Sequence, residues 1–282
     1  MAKFILFLLS LFAFQSAICQ SSCPCQSDLK FLITQFESGY PGFSINTKGK
    51  RKRQYASLKG WLKIEAAKNC YSYDSCLLSL QPLPEFFIDN HLRLYDTSLV
   101  DEEAYEASFK TTRMPSMQIL ENDILYLRFP SFNYRLWEEL DSFYLVVEDS
   151  IQVYEKLIID IRNNGGGGVR MYKGLLKIIK SKKVEEVVFL FNNKCYSACE
   201  EVAMKVSKIK KVSTAGTNTA GAFAFGFINV MNTPNFGYGF IITTKSYPKR
   251  FKYEGIGIAP QTYLSDSLDW ITEAEQMLFD KE

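Results

Sequence analysis

The sequence predicts an α/β protein with a small helical N-terminal region, on three observations. Apolar residues recur at helical spacing from Ser27 to about Leu80, as Leu29, Phe31, Leu32 and Phe36, then Leu58, Trp61, Leu62, Ile64 and Ala67. From Ile124 onward, short apolar runs alternate with longer amphipathic stretches. The run Leu157-Ile158-Ile159-Asp160-Ile161 leads into glycines and reads as a buried parallel strand. A chain of 282 residues has room for two domains of about 150 residues or one large one.

The first residues read as an address rather than as structure. Lys3 precedes a run from Phe4 to Phe14 that is apolar except for Ser10, and Gln15-Ser16-Ala17-Ile18-Cys19-Gln20 follows. That layout predicts a signal peptide over residues 1–19, cleaved between Cys19 and Gln20. The run is shorter than the roughly 20 residues a bilayer-spanning helix needs. A lipid anchor on Cys19 is the competing expectation; bulky Ile18 sits where that signal wants a small residue. Either way the mature chain is expected outside the cytoplasm, periplasmic or extracellular, with no membrane span after signal removal.

Six cysteines remain beyond Cys19: Cys23, Cys25, Cys70, Cys76, Cys195 and Cys199. An even number in an oxidising compartment predicts disulfides, and six allow 15 pairings. Cys70 and Cys76, around a short polar loop, are the expected pair. Cys23-Pro24-Cys25 lacks a matching second Cys/His pair, so no zinc site is expected.

Residues 20–95 form the helical region, interrupted by the turn Gly39-Tyr40-Pro41-Gly42-Phe43 and by Lys48-Gly49-Lys50-Arg51-Lys52-Arg53, read as a solvated loop. Leu92 to Tyr95 alternates as a strand, and residues 96–120 are polar and read as an irregular connecting segment. The α/β core is placed at residues 121–282. Strands are expected at 124–129, 157–161, 187–191, 212–214 and 240–243, with helices at about 136–156, 169–181 and 197–208.

Composition narrows the function. Hydrophobic content of 47% and charged content of 23% exclude a disordered or collagenous chain. A formal net charge of +2 excludes a non-specific nucleic-acid binder, which displaces counterions with a basic surface. His91 is the single histidine, so multi-histidine metal chemistry is impossible and histidine catalysis would have to use that residue.

Two strand-to-helix turns concentrate the chemistry. Asp160-Ile161-Arg162-Asn163-Asn164-Gly165-Gly166-Gly167-Gly168 places four glycines where chain entropy disfavours them. Bare N–H groups there could face a phosphate or an acyl-transfer oxyanion, or the segment could be a flexible turn. No Gly-Lys-Ser/Thr ending follows, which disfavours a nucleotide. In Asn193-Lys194-Cys195-Tyr196-Ser197-Ala198-Cys199-Glu200, Ser197 opens a helix. It could be a nucleophile in the field of the helix N-terminus or simply a cap. The Gly-x-Ser-x-Gly elbow of the α/β-hydrolases is missing.

Together these turns resemble the C-terminal-processing (tail-specific) serine peptidases, in a superfamily with the tricorn core peptidases and the interphotoreceptor retinoid-binding proteins. The matching residues are Asp160, Arg162, Asn164, Gly166 and Gly167; Ser197, Ala198 and Glu200; and Gly216, Thr219 and Gly221. Gly255-Ile256-Gly257-Ile258-Ala259-Pro260 resembles a late Gly-x-Gly-x-x-Pro segment, and Asp89-Asn90-His91 an upstream Asp-x-His turn. The likeness spans roughly residues 86–265, and the front part looks like that of exported members without a PDZ module.

The resemblance implies a ClpP/crotonase-like spiral core that cleaves polypeptide segments without metal or organic cofactor. It makes Ser197 the nucleophile, with an oxyanion hole from Ala198 N–H and one N–H of the Gly166–Gly167 turn. The sequence departs from the pattern where a base or acid is expected: Ala222, Arg128 and Gln261 occupy those positions. A protonated guanidinium cannot take a proton from Ser197. His91 is the candidate base with a near-neutral pKa, or else a structural turn histidine; a desolvated Lys245 is another candidate. The readings that follow are an endopeptidase, an inactive relative that binds peptide ligands, or an esterase or thioesterase on the same serine.

Overall fold

The computed structural model describes residues 23–279; the predicted signal peptide and Cys19 lie outside them. The chain opens with helices α1 (Pro24–Gly39), α2 (Phe43–Asn46), α3 (Lys50–Lys68), α4 (Tyr73–Leu80) and α5 (Pro82–Glu85), followed by strand β1 (Arg93–Tyr95). Pro24 starts α1 at a position where a missing N–H costs nothing. Ser72 caps α4 by accepting the Ser75 N–H. The basic run is not the solvated loop expected: from Lys50 it forms the first turn of α3. Arg51 Nε there donates to the Asn46 carbonyl at 2.8 Å, with the guanidinium 4.4 Å from the Phe86 ring centroid.

The connecting segment is more ordered than its composition suggests. It holds α6 (Glu102–Thr112) and β2 (Ser116–Ile119). Asp101 caps α6 by accepting the Ala104 N–H at 2.9 Å, and Glu102 and Glu103 complement the helix dipole. Those cap signals outweigh the scarcity of apolar periodicity.

The rest alternates as expected: β3 (Leu125–Arg128), α7 (Trp137–Ser150), β4 (Lys156–Asp160), α8 (Lys173–Lys180), β5 (Glu186–Phe191), α9 (Ala198–Val206) and β6 (Val212–Gly216). A hairpin of β7 (Phe225–Asn232) and β8 (Gly239–Ser246), then β9 (Thr262–Tyr263) and α10 (Trp270–Phe279), complete the described residues. The main sheet has the order β2-β3-β4-β5-β6-β9, parallel from β3 to β9 with β2 antiparallel at one edge. The α/β class read from the sequence is the observed one. Alternate residues of β4 and β5 point to opposite faces, and both faces are covered. Leu157, Ile159, Val187 and Phe189 pack with residues of α7, α8 and α9, while Ile158, Val188 and Leu190 meet Trp270, Ala274 and Leu278 of α10. This two-sided burial explains why these strands read as continuous apolar runs.

A second, antiparallel sheet of order β1-β8-β7 lies against the front helices. Leu29, Leu32 and Phe36 of α1 share one core with Phe225, Phe240 and Ile242 of the hairpin. The late hairpin is therefore part of the N-terminal helical layer. Asp28 fastens the two across the chain. Fully buried, it accepts from Thr233 Oγ1 (2.9 Å), Asn235 N (2.9 Å), Asn235 Nδ2 (2.8 Å) and Phe236 N (2.9 Å).

Among the described residues three disulfides form, and the expected Cys70–Cys76 pair is not one of them. Cys23 pairs with Cys70, Cys25 with Cys76 and Cys195 with Cys199. Cys76 falls inside α4 and Cys25 in the first turn of α1, so packing of the two helices brings them together. Sequence proximity misled here because Cys76 faces α1 and Cys70 lies opposite Cys23.

Asp28→Ala should leave four donors without their acceptor, the Thr233 hydroxyl among them buried. We expect it to lower stability by about 3 kcal/mol, the scale of lost charge-assisted bonds, read as a shift in the urea midpoint.

Candidate functional site

The two turns singled out in the sequence meet beyond the C-terminal ends of β4 and β5. The first is built from its aspartate outward. Asp160 is buried, accepts from Arg162 Nε (2.9 Å) and Nη2 (2.6 Å), and takes the Tyr126 hydroxyl at 2.8 Å. Arg162 in turn lies 5.2 Å over the Trp270 ring. Buried Asn164 donates Nδ2 to the Phe129 carbonyl and accepts the Gly166 N–H, both at 2.8 Å. These residues support the glycine bend from beneath.

The glycines are required by close approach. Gly166 and Gly167 have φ of 88° and 139°, a region disfavoured for other residues. A Cβ on Gly166 would lie 2.5 Å from the Tyr196 carbonyl oxygen and 3.0 Å from Ser197 Cβ. The bend therefore touches the second turn directly, and Tyr196 N–H donates to the Asn164 carbonyl at 3.0 Å.

Ser197 sits between β5 and α9 with φ 56° and ψ −115°. A left-handed serine costs about 1–3 kcal/mol and persists only when its surroundings over-determine it. Glu200 supplies much of that determination. Fully buried, it accepts Ser197 N–H (3.1 Å), Gly221 N–H (2.7 Å), Ala222 N–H (2.7 Å) and Thr219 Oγ1 (2.7 Å). Burial holds its carboxyl above the usual range, and the four donors offset only part of that rise.

Of the amides around the serine, Gly166 N–H is committed to Asn164 and Gly168 N–H to the Phe132 carbonyl. The N–H groups of Gly167 and Ala198 have no acceptor among the described residues. His91 stands on the other side. Its Nδ1 lies 3.0 Å from Asp89 Oδ1, its backbone N–H donates to the same oxygen, and Thr243 Oγ1 donates to Asp89 Oδ2 at 2.8 Å. The imidazole packs edge-on against Tyr196 with ring centroids 4.9 Å apart, and its Nε2 is buried without a partner.

His91, Gly165 to Gly168, Ser197 and Ala198 line one cavity of about 620 Å³. Phe223, Phe225 and Phe227 form an aromatic wall, and Tyr105 and Phe109 of α6 line it from the connecting segment. The volume suits several side chains of an extended ligand.

Lys245, the other candidate base, falls away, and the three positions that depart from the pattern carry no base. Lys245 is exposed, its ammonium 5.1 Å from the Phe227 ring centroid and 5.5 Å from that of Tyr247, so it is not desolvated and does not line the cavity. Arg128 is exposed on β3, Ala222 offers only its N–H to Glu200, and Gln261 Oε1 accepts the Thr214 N–H at 2.7 Å. Sequence reasoning missed Glu254. One of its oxygens accepts the Phe223 and Ala224 amides, and the other is buried and unpartnered. Burial, then the carboxylates of Asp89 and Glu200, raise its pKa to about 7. Its only sequence signal is that it precedes the Gly255–Pro260 segment.

Among the described residues no helix is long and apolar enough to cross a membrane. Nor does any group of three or more His, Cys, Asp or Glu there suit a metal ion.

Residues 123–186 match the model of peptidase family S41. That segment runs from the approach to β3 to the start of β5 and contains the whole Asp160–Gly168 turn; Ser197 and His91 lie outside it. No curated protein matches the chain. Among solved structures, a lipoprotein from Streptococcus agalactiae is similar at 17% identity, covering 92% of this chain and 97% of its own, with a TM-score of 0.63. The photosystem II D1 C-terminal processing protease matches at 14% identity, 88% and 96% coverage and a TM-score of 0.54. Mature CPAF matches at 11% identity, 86% and 92% coverage and 0.58. At these identities the likeness is one of fold, and it extends over nearly the full length of each.

Glu254 has a folded pKa near 7 against an ordinary 4.5, so the folded state binds the extra proton. Its stabilising contribution is complete below about pH 4.5 and is lost as pH rises through about 7. Glu254→Gln should therefore gain urea midpoint relative to the parent near pH 8, and gain little near pH 5. An equal difference at both would refute the assignment.

Proposed function

We propose, from the premise that residues 123–186 carry the pattern of peptidase family S41, that this chain is an exported serine-type peptidase acting on unstructured polypeptide segments. Ser197 is the nucleophile in this reading. The observation that carries it is the meeting of a left-handed serine, a bare glycine bend and an unpartnered histidine nitrogen in one cavity.

In this reading the steps are those of a serine–histidine pair. With its proton on Nδ1 facing Asp89, His91 presents a lone pair on Nε2, the arrangement that lets an imidazole act as general base. It takes the Ser197 proton as the hydroxyl oxygen attacks the peptide carbonyl. The oxyanion that forms is held by the uncommitted N–H groups of Ala198 and Gly167, each worth about 3 kcal/mol of barrier, and by the N-terminal field of α9. Gly166 gives space rather than a donor, since its N–H is already bound to Asn164. His91 then passes its proton to the leaving amine, and water hydrolyses the acyl-enzyme by the same route. Asp89 holds the ring and stabilises its charged form.

Two further features support this reading. The aromatic wall can seat apolar side chains while the open cavity leaves an extended backbone room to pass. Three disulfides support an oxidising compartment outside the cytoplasm.

A fluorophosphonate active-serine probe should label the parent protein, and Ser197→Ala should abolish labelling. His91→Ala should reduce casein cleavage by about 10²–10⁴-fold, the range for a lost general base. A parent protein that binds peptide but is never labelled would replace the peptidase with a binding protein on the same scaffold. Cleavage of a nitrophenyl ester without casein would make it an esterase.

A further inference from the structure

We propose that the Cys195–Cys199 disulfide is a positioning crosslink for Ser197, and that breaking it disables the serine while leaving the fold in place. The inference rests on the reading of Ser197 as nucleophile. The linked residues bracket it: the closed loop contains Tyr196, which packs against His91; Ser197 itself; and Ala198, whose N–H is free. Both cysteines are fully buried, with Cα atoms 5.4 Å apart.

The three disulfides do different work. Cys23–Cys70 and Cys25–Cys76 span 47 and 51 residues and remove much freedom from the unfolded chain. Cys195–Cys199 spans four, so its effect on the unfolded chain is the smallest of the three. Its consequence is local. Cys199 belongs to the first turn of α9, whereas Cys195 precedes the helix in a tight turn, its N–H donating to the Asn192 carbonyl. A link within one helix would fix nothing new; this one fixes the direction in which the chain enters α9. That entry is where Ser197 takes its disfavoured left-handed backbone. Glu200 holds the Ser197 amide, the glycine bend lies against Tyr196 and Ser197, and the crosslink adds a covalent restraint to these contacts.

The chemistry of release is a two-electron reduction. A small dithiol supplies two electrons and two protons, the S–S bond breaks, two thiols form and the reductant closes to its cyclic disulfide. Unbonded sulfurs must part by about 1 Å or more to reach van der Waals separation. Both sulfurs are packed in the main core, so the separation is taken up by the short loop that carries Ser197. A displacement of about 1 Å in a catalytic group costs on the order of 100-fold in rate.

The test compares two double variants of the full chain by kcat and KM on casein-derived peptide, by rate of fluorophosphonate labelling and by thermal midpoint. Cys195→Ala with Cys199→Ala should lose about 100-fold in kcat and labelling rate, with KM within about threefold and only a small drop in midpoint. Cys25→Ala with Cys76→Ala, remote from the cavity, should lower the midpoint more and leave kcat unchanged at temperatures where it is folded. Reduction of the parent with dithiothreitol, with the freed thiols located by alkylation after denaturation, should cut activity in step with Cys195 and Cys199 and not with the other four cysteines, and reoxidation should restore it. An active parent whose Cys195/Cys199 variant keeps kcat within threefold overturns this inference alone. So does loss of activity in both variants in proportion to unfolding. A parent that neither labels nor cleaves overturns the peptidase reading, and this inference with it.

Discussion

A single buried carboxylate organises the site. Glu200 receives donors from four places in the chain, namely Ser197, Thr219, Gly221 and Ala222. An unpaired charge in that position would be prohibitive, so each donor is also a condition on the fold. The bond to Ser197 fixes the entry to α9, and the others bind the segment after β6 to the same point. Thr219 extends the arrangement, since its hydroxyl also accepts the Ile258 N–H at 2.8 Å. Segments beyond the glycine bend thus meet at Glu200 directly or, for the stretch at Ile258, through Thr219.

Backbone lying directly on backbone is the second constraint. Gly166 faces Tyr196 and Ser197, and a Cβ on Gly221 would come within 2.6 Å of the Ile256 amide nitrogen. Any side chain at these points would separate the turns and open the cavity floor. The glycines thus support a rigid site, which is the reverse of the flexible surface turn that four consecutive glycines suggest in isolation.

The layer that holds His91 is assembled from both ends of the chain. Asp89 and His91 follow the front helices, while Thr243, which bonds Asp89, comes from β8. Asp28 clamps the β7–β8 turn to α1 in the same layer. The position of the histidine relative to the serine therefore depends on packing between the helical region and the late hairpin, not on the parallel sheet alone. This coupling gives the two long-range disulfides of the front helices a bearing on the site through stability rather than through geometry.

Much was legible in the sequence because it follows from local chemistry. Period and burial marked β3 to β6 and the helices between them; Asp160, Asn164, Ser197 and the glycines marked the two turns. Composition also left His91 as the one histidine available. What the sequence did not yield depends on contacts between distant segments. Cysteines paired across α1 and α4 rather than with near neighbours, α6 formed where composition read as irregular, and Glu254 acquired a pKa near 7 only on being buried beside Asp89 and Glu200. Residue order set which groups could bear chemistry; tertiary packing decided which of them share one cavity, because burial and charge proximity are properties of neighbours in space.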